Sequence, residues 1–256
     1  MQNLSEHEIL NISVRAGEVL LKSTAETYRV EETCRLICKK EGLSNAEAFV
    51  LPTVIILTSN TKGEQTKIKK TRDRQINISN MCKINTFAKN LETDERPYTE
   101  IMEYLKAIPQ KKPYPDWLYF VMCGAVSAGF AALAGATLYD LIAAFVCGLL
   151  SGAAAVLIKN LPAKVFLKSF LAGLITGAIA VFASNLSDKI FFEPIIVGGM
   201  KPFFPGIAIL LCLRDFLAGN LSAGTSRLAE SLLVGGSLAV GVALVLEIYL
   251  MLGGLV

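Results

Sequence analysis

IIVGGMKPFFPGIAILLCLRD, Ile195 to Asp215, is the stretch on which the fold turns. It is apolar enough to enter a bilayer, yet Lys201, Pro202 and Pro205 stand near its middle with Gly198, Gly199 and Gly206 beside them. Proline removes a helical hydrogen-bond donor and clashes with the preceding turn. Two prolines among three glycines therefore predict a helix broken into halves. A lysine at the centre of a spanning helix costs roughly 2.5–3.5 kcal/mol even on a lenient insertion scale, so Lys201 needs a reason to be there.

Outward from this stretch the chain divides by composition. Residues 1–116 hold 18 of the 25 lysines and arginines and 16 of the 22 aspartates and glutamates, so the 53% hydrophobic average conceals a polar half followed by an apolar one. The second half contains five apolar runs, 117–136, 139–158, 165–183, 190–213 and 228–252. Each is long enough for the roughly 20 helical residues that cross the hydrocarbon core of a bilayer. The expected fold is an α-helical integral membrane domain of five transmembrane helices, the fourth one broken, over 117–256. A cytoplasmic α+β domain, 1–108, precedes it through a Pro-rich linker, 109–116.

Lysine and arginine near the ends of spans are retained on the cytoplasmic side. Lys106, Lys111 and Lys112 precede the first span, Lys159, Lys164 and Lys168 lie between the second and third, and Arg214 and Arg227 flank the connection from fourth to fifth. The opposite side has Lys189 alone, which places the N-terminal domain in the cytoplasm and the C-terminal GGLV outside. MQNLSEHEIL lacks a basic flank leading into an apolar core, so no cleavable secretory signal is expected.

In the polar half, Leu4–Lys22 and Glu26–Glu41 repeat apolar residues at helical spacing, and Gly42 stops the second. AFVLPTVIILTS, Ala48–Ser59, reads as a β-rich run, with QTKIKKTR returning as its hairpin partner after NTKG. Further helices are expected over 81–91 and 98–108. Within the spans, Gly148 with Gly152 and Gly173 with Gly177 have the four-residue spacing that lets helix backbones approach closely.

Constellations for covalent chemistry are scarce. His7, the single histidine, sits between Glu6 and Glu8 and reads as a solvated helix residue. Cys34 and Cys38 have no second pair to complete a metal set, and Cys123, Cys147 and Cys212 lie in apolar spans, so free thiols are expected rather than metal ligands or disulfides. No phosphate-cradling glycine loop is present. The basic KIKKTRDR reads as one face of a strand, with no nucleic-acid partner expected. No catalytic residue, metal site or cofactor is therefore assigned.

Ionisable residues in the apolar half carry more meaning. Asp140, Glu193, Asp215 and Glu230 fall near the ends of spans, Glu247 about five residues from the end of the last, and Lys201 at mid-span. Backbone groups freed by a broken helix at membrane depth must be satisfied by protein or water, and discontinuous helices in transporters gather such groups around their substrates. A kink with Lys201 snorkelling to an interface, or a re-entrant loop, is the alternative reading.

PGIAILLCLRDFLAGNLSAGTSRLAE, Pro205 to Glu230, resembles the signature of the threonine/serine exporter family, in which a Pro-Gly pair leads to Arg-Asp, a small polar turn, Ser-x-Gly and Arg-x-x-Glu. AGEVLLKSTAETYRVEETCRLICKKEGL, Ala16 to Leu43, resembles that family's opening segment. Pro205, Gly206, Arg214, Asp215, Gly219, Ser222, Gly224, Arg227 and Glu230 fit the pattern. Leu211 stands where asparagine is expected and Asn220 where an acid is expected, which bears on ion coupling and substrate polarity.

The likeness is to the shorter, five-span component of split two-protein exporters. It implies a second small membrane protein, corresponding to the C-terminal half of the fused exporters, as partner in a hetero-oligomer of the bacterial cytoplasmic (inner) membrane. It also implies a cargo of threonine or serine, or a dicarboxylate such as succinate. The expected function is thus a subunit of a secondary transporter exporting a small carboxylate-bearing metabolite, and not an enzyme. The open alternatives are an accessory subunit with the pathway in its partner, and a membrane-anchored hydrolase.

Lys201, Gly199, Pro202, Pro205 and Gly206 are the candidate substrate-binding residues. Asp140, Arg214, Asp215, Ser222, Arg227, Glu230 and Glu247 are candidates for gating or ion coupling. Arg214 and Asp215 are expected to satisfy one another, and Arg227 to pair with Glu230 one helical turn on.

Overall fold

The computed structural model describes residues 4–61, 64–71, 74–108, 114–158, 161, 164–187 and 189–253. Most of the expected linker, Lys111, Lys112, Lys159, the side chain of Lys164, the Lys62–Gly63 half of the expected NTKG turn and the end of GGLV lie outside the described residues. The chain forms two compact units, Met1–Lys111 with Ala208–Leu228, and Lys112–Ile207 with Ala229–Val256.

The first unit begins with α1, Glu6–Lys22. Ser5 starts it through a capping box: its hydroxyl accepts from the Glu8 N–H while the Glu8 carboxylate accepts from the Ser5 N–H, satisfying two otherwise orphaned donors. Helix α2, Thr27–Lys40, ends where Gly42 turns back at φ +89°. Three antiparallel strands follow in the order β1 (Glu47–Leu51), β2 (Val54–Ser59) and β3 (Gln65–Lys70).

The apolar run expected as one β segment is two strands, turned at Pro52–Thr53 so that Leu51 pairs with Val54. Pro52 has no N–H to give a ladder, so the chain folds there instead of running on. Ala48, Val50, Ile55 and Leu57 alternate inward. They join Leu10, Ile12, Leu21, Ile37, Ile84 and Leu105 in one apolar core. Helices α3 (Ile78–Asn90, capped by Asn77) and α4 (Tyr98–Ala107) close it.

The second unit contains α5 (Asp116–Leu133), α6 (Leu138–Leu157), α7 (Lys164–Ser184) and α8 (Phe192–Met200). A short 3-10 turn, Lys201–Phe203, follows α8; then come α9 (Gly206–Leu217) and α10 (Leu221–Met251), each running from one unit into the other. Among the described residues, four helices are long and apolar enough to cross a membrane. Phe192–Phe203 with Gly206–Leu217 makes a fifth only as a bent pair counted together.

Small residues carry the helix crossings. A Cβ on Gly148 would fall on Ser127 Oγ and the Cys123 carbonyl of α5; one on Gly173 would fall on the Leu238 carbonyl of α10; one on Gly177 would lie 3.0 Å from Val245 Cβ. In lipid, where apolar side chains gain little by meeting each other, such close backbone approach is what holds helices together. At about 1.5 Å per residue, the 31 residues of α10 exceed the roughly 30 Å hydrocarbon layer. Its polar start, from Ser222 to Arg227, has room to stand beyond that layer.

Candidate functional site

The break lies where the residue pattern placed it. Gly198 O would bond to position 202 in a regular helix, but Pro202 has no N–H, and Lys201 N–H donates to it instead. Lys201 O loses its partner at Pro205 in the same way and accepts from Phe204 N–H at 3.2 Å. Phe204 is extended, with ψ 132°, the conformation a following proline favours. The result is a short 3-10 turn that rebonds part of the interrupted ladder before α9 starts.

Lys201 is half-buried on this turn, its Nζ 5.2 Å from the ring centroid of Phe130 and 5.5 Å from that of Phe204. Aromatic faces attract a cation by about 0.5–2 kcal/mol. They hold the ammonium without neutralising it. Phe130, on α5, carried no sequence signal as a partner; a ring on a separate span becomes one only when the helices pack.

The other residues of the break divide by what surrounds them. A Cβ on Gly199 would lie 2.5 Å from Cys147 Sγ and 2.9 Å from Thr176 Cγ2, and one on Gly198 would strike the Ser127 carbonyl. Their missing side chains are thus filled by α5, α6 and α7, which seats α8 against its neighbours. Gly206 has only the Phe204 ring near it, at 3.6 Å or more, and Pro202 and Pro205 are half-buried.

Asp140 is fully buried at the start of α6. One carboxylate oxygen accepts from the Thr137 N–H and hydroxyl, both at 2.8 Å, and the other accepts from the Phe191 N–H at 2.9 Å. It helps cap α6 and ties it to Phe191, the residue just before α8. Glu247 is exposed on α10, and Glu230 is half-buried there.

The first unit holds a second constellation. Asp215, on α9, is fully buried, and Arg227, on α10, is 2% exposed. Arg227 Nε lies 2.8 Å from Asp215 Oδ2, an ion pair by distance rather than an aligned hydrogen bond. Removing one member of such a pair leaves an uncompensated buried charge and costs about 3–5 kcal/mol.

The turn between α1 and α2 supplies the remaining contacts. Thr27 Oγ1 donates to Asp215 Oδ1 at 2.7 Å, Arg227 Nη2 donates to the Ala25 carbonyl at 3.0 Å, and Asn220 Nδ2 donates to Thr27 Oγ1 at 3.3 Å. Arg214 pairs with Glu26. Burial alone would raise the Glu26 carboxyl, but backbone hydrogen bonding and the Arg214 guanidinium outweigh it and hold the group below its ordinary value.

The expected partnership of Arg214 with Asp215 is therefore replaced. Consecutive residues of a helix point about 100° apart and do not face each other, so each turns to a different partner. Ser222 is exposed. Ala25, Glu26 and Thr27 were not singled out from the sequence, although they lie in one of the two segments that carry the resemblance. Those segments, separated by 188 residues between Thr27 and Asp215, meet here.

Cys34, in the core of the first unit, offers no reactive group. Burial pushes the Cys34 thiol up to about 12, which keeps it protonated. Among the described residues no cluster of three histidine, cysteine, aspartate or glutamate side chains could hold a metal ion.

The sequence model of the family described as "Putative threonine/serine exporter" (ThrE) matches residues 11–249. A "Probable threonine/serine exporter" of Mycobacterium tuberculosis (strain H37Rv) is 21% identical over 251 residues, covering 96% of this chain and 47% of the relative. The chain thus spans about half the length of the curated relative it matches. No solved structure matches significantly. With a family match over nearly the whole length and four or five apolar helices of spanning length, this is a multi-pass membrane protein that belongs to the threonine/serine exporter family.

Proposed function

We propose that the chain is a subunit of a secondary transporter that exports a small carboxylate-bearing metabolite, threonine or serine or a dicarboxylate such as succinate. It acts with a second small membrane protein, in a bacterial inner membrane, its N-terminal domain on the cytoplasmic side. The observation that carries this reading is the interrupted helix with Lys201 on it. The Lys201 ammonium is seated near two phenylalanine rings, and among the described residues no carboxylate pairs with it. It is available to an anionic group on a solute.

Backbone groups near Pro205 and Gly206 add dipoles at the same point, as in transporters with broken helices. Gly199 contributes by seating α8 rather than by touching cargo. Asp140 serves in this scheme as a fixed tie, leaving Glu230 and Glu247 as the acids for proton uptake. One charge crossing 100 mV is worth about 2.3 kcal/mol, which sets the scale of the work the membrane potential can supply.

The test is counterflow in liposomes holding this chain together with the protein corresponding to the remaining half of the longer relative. Serine, threonine and dicarboxylates are offered in turn, and exchange of one class is expected. Lys201→Ala is expected to abolish it at equal protein abundance; undiminished exchange removes Lys201 from the mechanism.

A second reading is favoured by one fact, that the chain spans only about half of its relative. The pathway would then lie in the partner, with this chain accessory to it. Reconstituting each protein alone and both together separates the two, because an accessory chain leaves exchange intact when its partner is present alone.

A further inference from the structure

A buried ion pair is a poor choice for holding parts together, since apolar residues of similar size stabilise as well or better. The Asp215–Arg227 pair therefore calls for an account beyond stability. Three features of its surroundings bear on one. The α1–α2 turn bonds to both members of the pair: Thr27 Oγ1 donates to Asp215, and Arg227 donates to the Ala25 carbonyl. Within that turn Thr24 has φ +67°, a left-handed conformation that is strained for a β-branched residue and is typical of switch segments. The pair's own two helices are joined by Ala218–Gly219–Asn220, with Gly219 at φ +81°. So short an elbow makes the end of α9 and the start of α10 move as one piece.

We propose that the α1–α2 turn is a releasable latch on the α9–α10 elbow. It is closed when Ala25–Thr27 seals Asp215 and Arg227 from solvent, and open when that turn lifts and the two charges hydrate. Apolar residues could not work in this way, because their exposure gains nothing from water, whereas a hydrated ion pair loses little. Helix α9, which starts just after Pro205, is the element that movement of the elbow would carry. The purpose of the latch rests on the transporter reading; its opening does not, and it is read without any substrate.

The probe is Cys212, buried on α9 one turn before Asp215. In full-length protein in detergent, Cys82→Ser removes the exposed thiol, and alkylation of Cys212 by N-ethylmaleimide is followed by peptide mass. Slow labelling is expected in this parent. Thr27→Cys with Asn220→Cys, joined by a short bis-methanethiosulfonate reagent, is expected to slow it at least tenfold. Thr27→Val, which keeps the shape and loses the bond to Asp215, is expected to speed it severalfold.

Equal rates in the joined and parent proteins overturn the latch, as does a Cys212 that never labels without denaturant. If the cysteine pair fails to join or the variant fails to accumulate, Thr27→Val decides alone: unchanged labelling overturns the proposal. In liposomes, the joined protein is expected to lose exchange and to regain it on reduction. Absence of exchange in the unmodified pair of chains, with labelling as expected, sinks the transporter reading and leaves the latch standing.

Discussion

Leu10, Leu21, Ile37, Ile55 and Leu105 are buried to 0% exposure in the first unit, whereas Leu133 and Leu157 of the second are each 83% exposed. Many buried positions of the second unit go to small residues, among them Ala131, Ala144, Cys147, Gly148, Gly152 and Ala155, with Ile195 and Leu238 as large exceptions. In water, removing large apolar side chains from solvent is the main gain of folding, about 1.5–3 kcal/mol for each fully buried leucine or isoleucine. In a bilayer the solvent is as apolar as leucine, so large side chains face outward and close backbone contact takes over. The core of residues 4–108 and the packing of α5 to α8 thus follow the rules of two different solvents, and the same substitution has opposite meanings in the two.

The largest contrast is expected between two leucines. Leu10→Ala should cost about 2–5 kcal/mol, seen as lost hydrogen-exchange protection in α1 and α2 of the full-length protein. Leu150→Ala, at a position 46% exposed on α6, should leave protection and melting temperature unchanged when lipid or detergent is present. A large loss at Leu150 would mean that a protein surface, and not acyl chains, covers that face.

Glycines sharpen the comparison from the other side. Gly173→Ala puts a methyl group on the Leu238 carbonyl of α10, and overpacking of this kind costs about 1–3 kcal/mol. A lower melting temperature and lower membrane abundance are expected. Gly129→Ala, with nothing within 4 Å of its Cβ, should be neutral.

The smallest effect is electrostatic and belongs to the first unit. Glu18 is buried, with Arg15 Nη1 at 2.5 Å, Lys22 Nζ at 2.9 Å and Lys69 Nζ at 3.5 Å. Burial alone would raise its carboxyl, but the bonds from Lys22 and Arg15 outweigh it and hold the group below its ordinary value. A carboxylate whose pKa falls on folding adds stability above its unfolded pKa, and loses it as pH drops through the folded one. Glu18→Gln is expected to cost about 1 kcal/mol at neutral pH. The difference from the parent should shrink to nothing in acid below the carboxylate range; a cost that persists there would assign Glu18 to packing.

The break in the helix is legible because its causes are local. Proline's missing N–H and its clash act within one helical turn, so Pro202 and Pro205 predict the break at Phe204 without knowledge of any neighbour. The start of α1 and the end of α2 were legible for the same reason, through the Ser5 cap and Gly42. Ala48–Ser59 looks like one run because its apolar residues are nearly continuous, whereas the missing donor at Pro52 makes it two strands.

Pairings were another matter. Arg214 and Asp215 are adjacent in sequence and look mutually satisfied, but helical geometry turns them apart, toward Glu26 and Arg227. Gly199 reads as part of a binding site beside Lys201, but the approach of Cys147 and Thr176 gives it a packing duty.

By itself the sequence determined which segments are helical and apolar and where the helix around Lys201 breaks, because hydropathy, caps and proline act over a few residues. Only the tertiary structure decided which ring holds Lys201, and which turn covers the buried charges of α9 and α10. Those contacts join residues as far apart as Ala25 and Arg227. Which of many possible partners a charge or a ring meets is set by packing along the whole chain, not by the residues beside it.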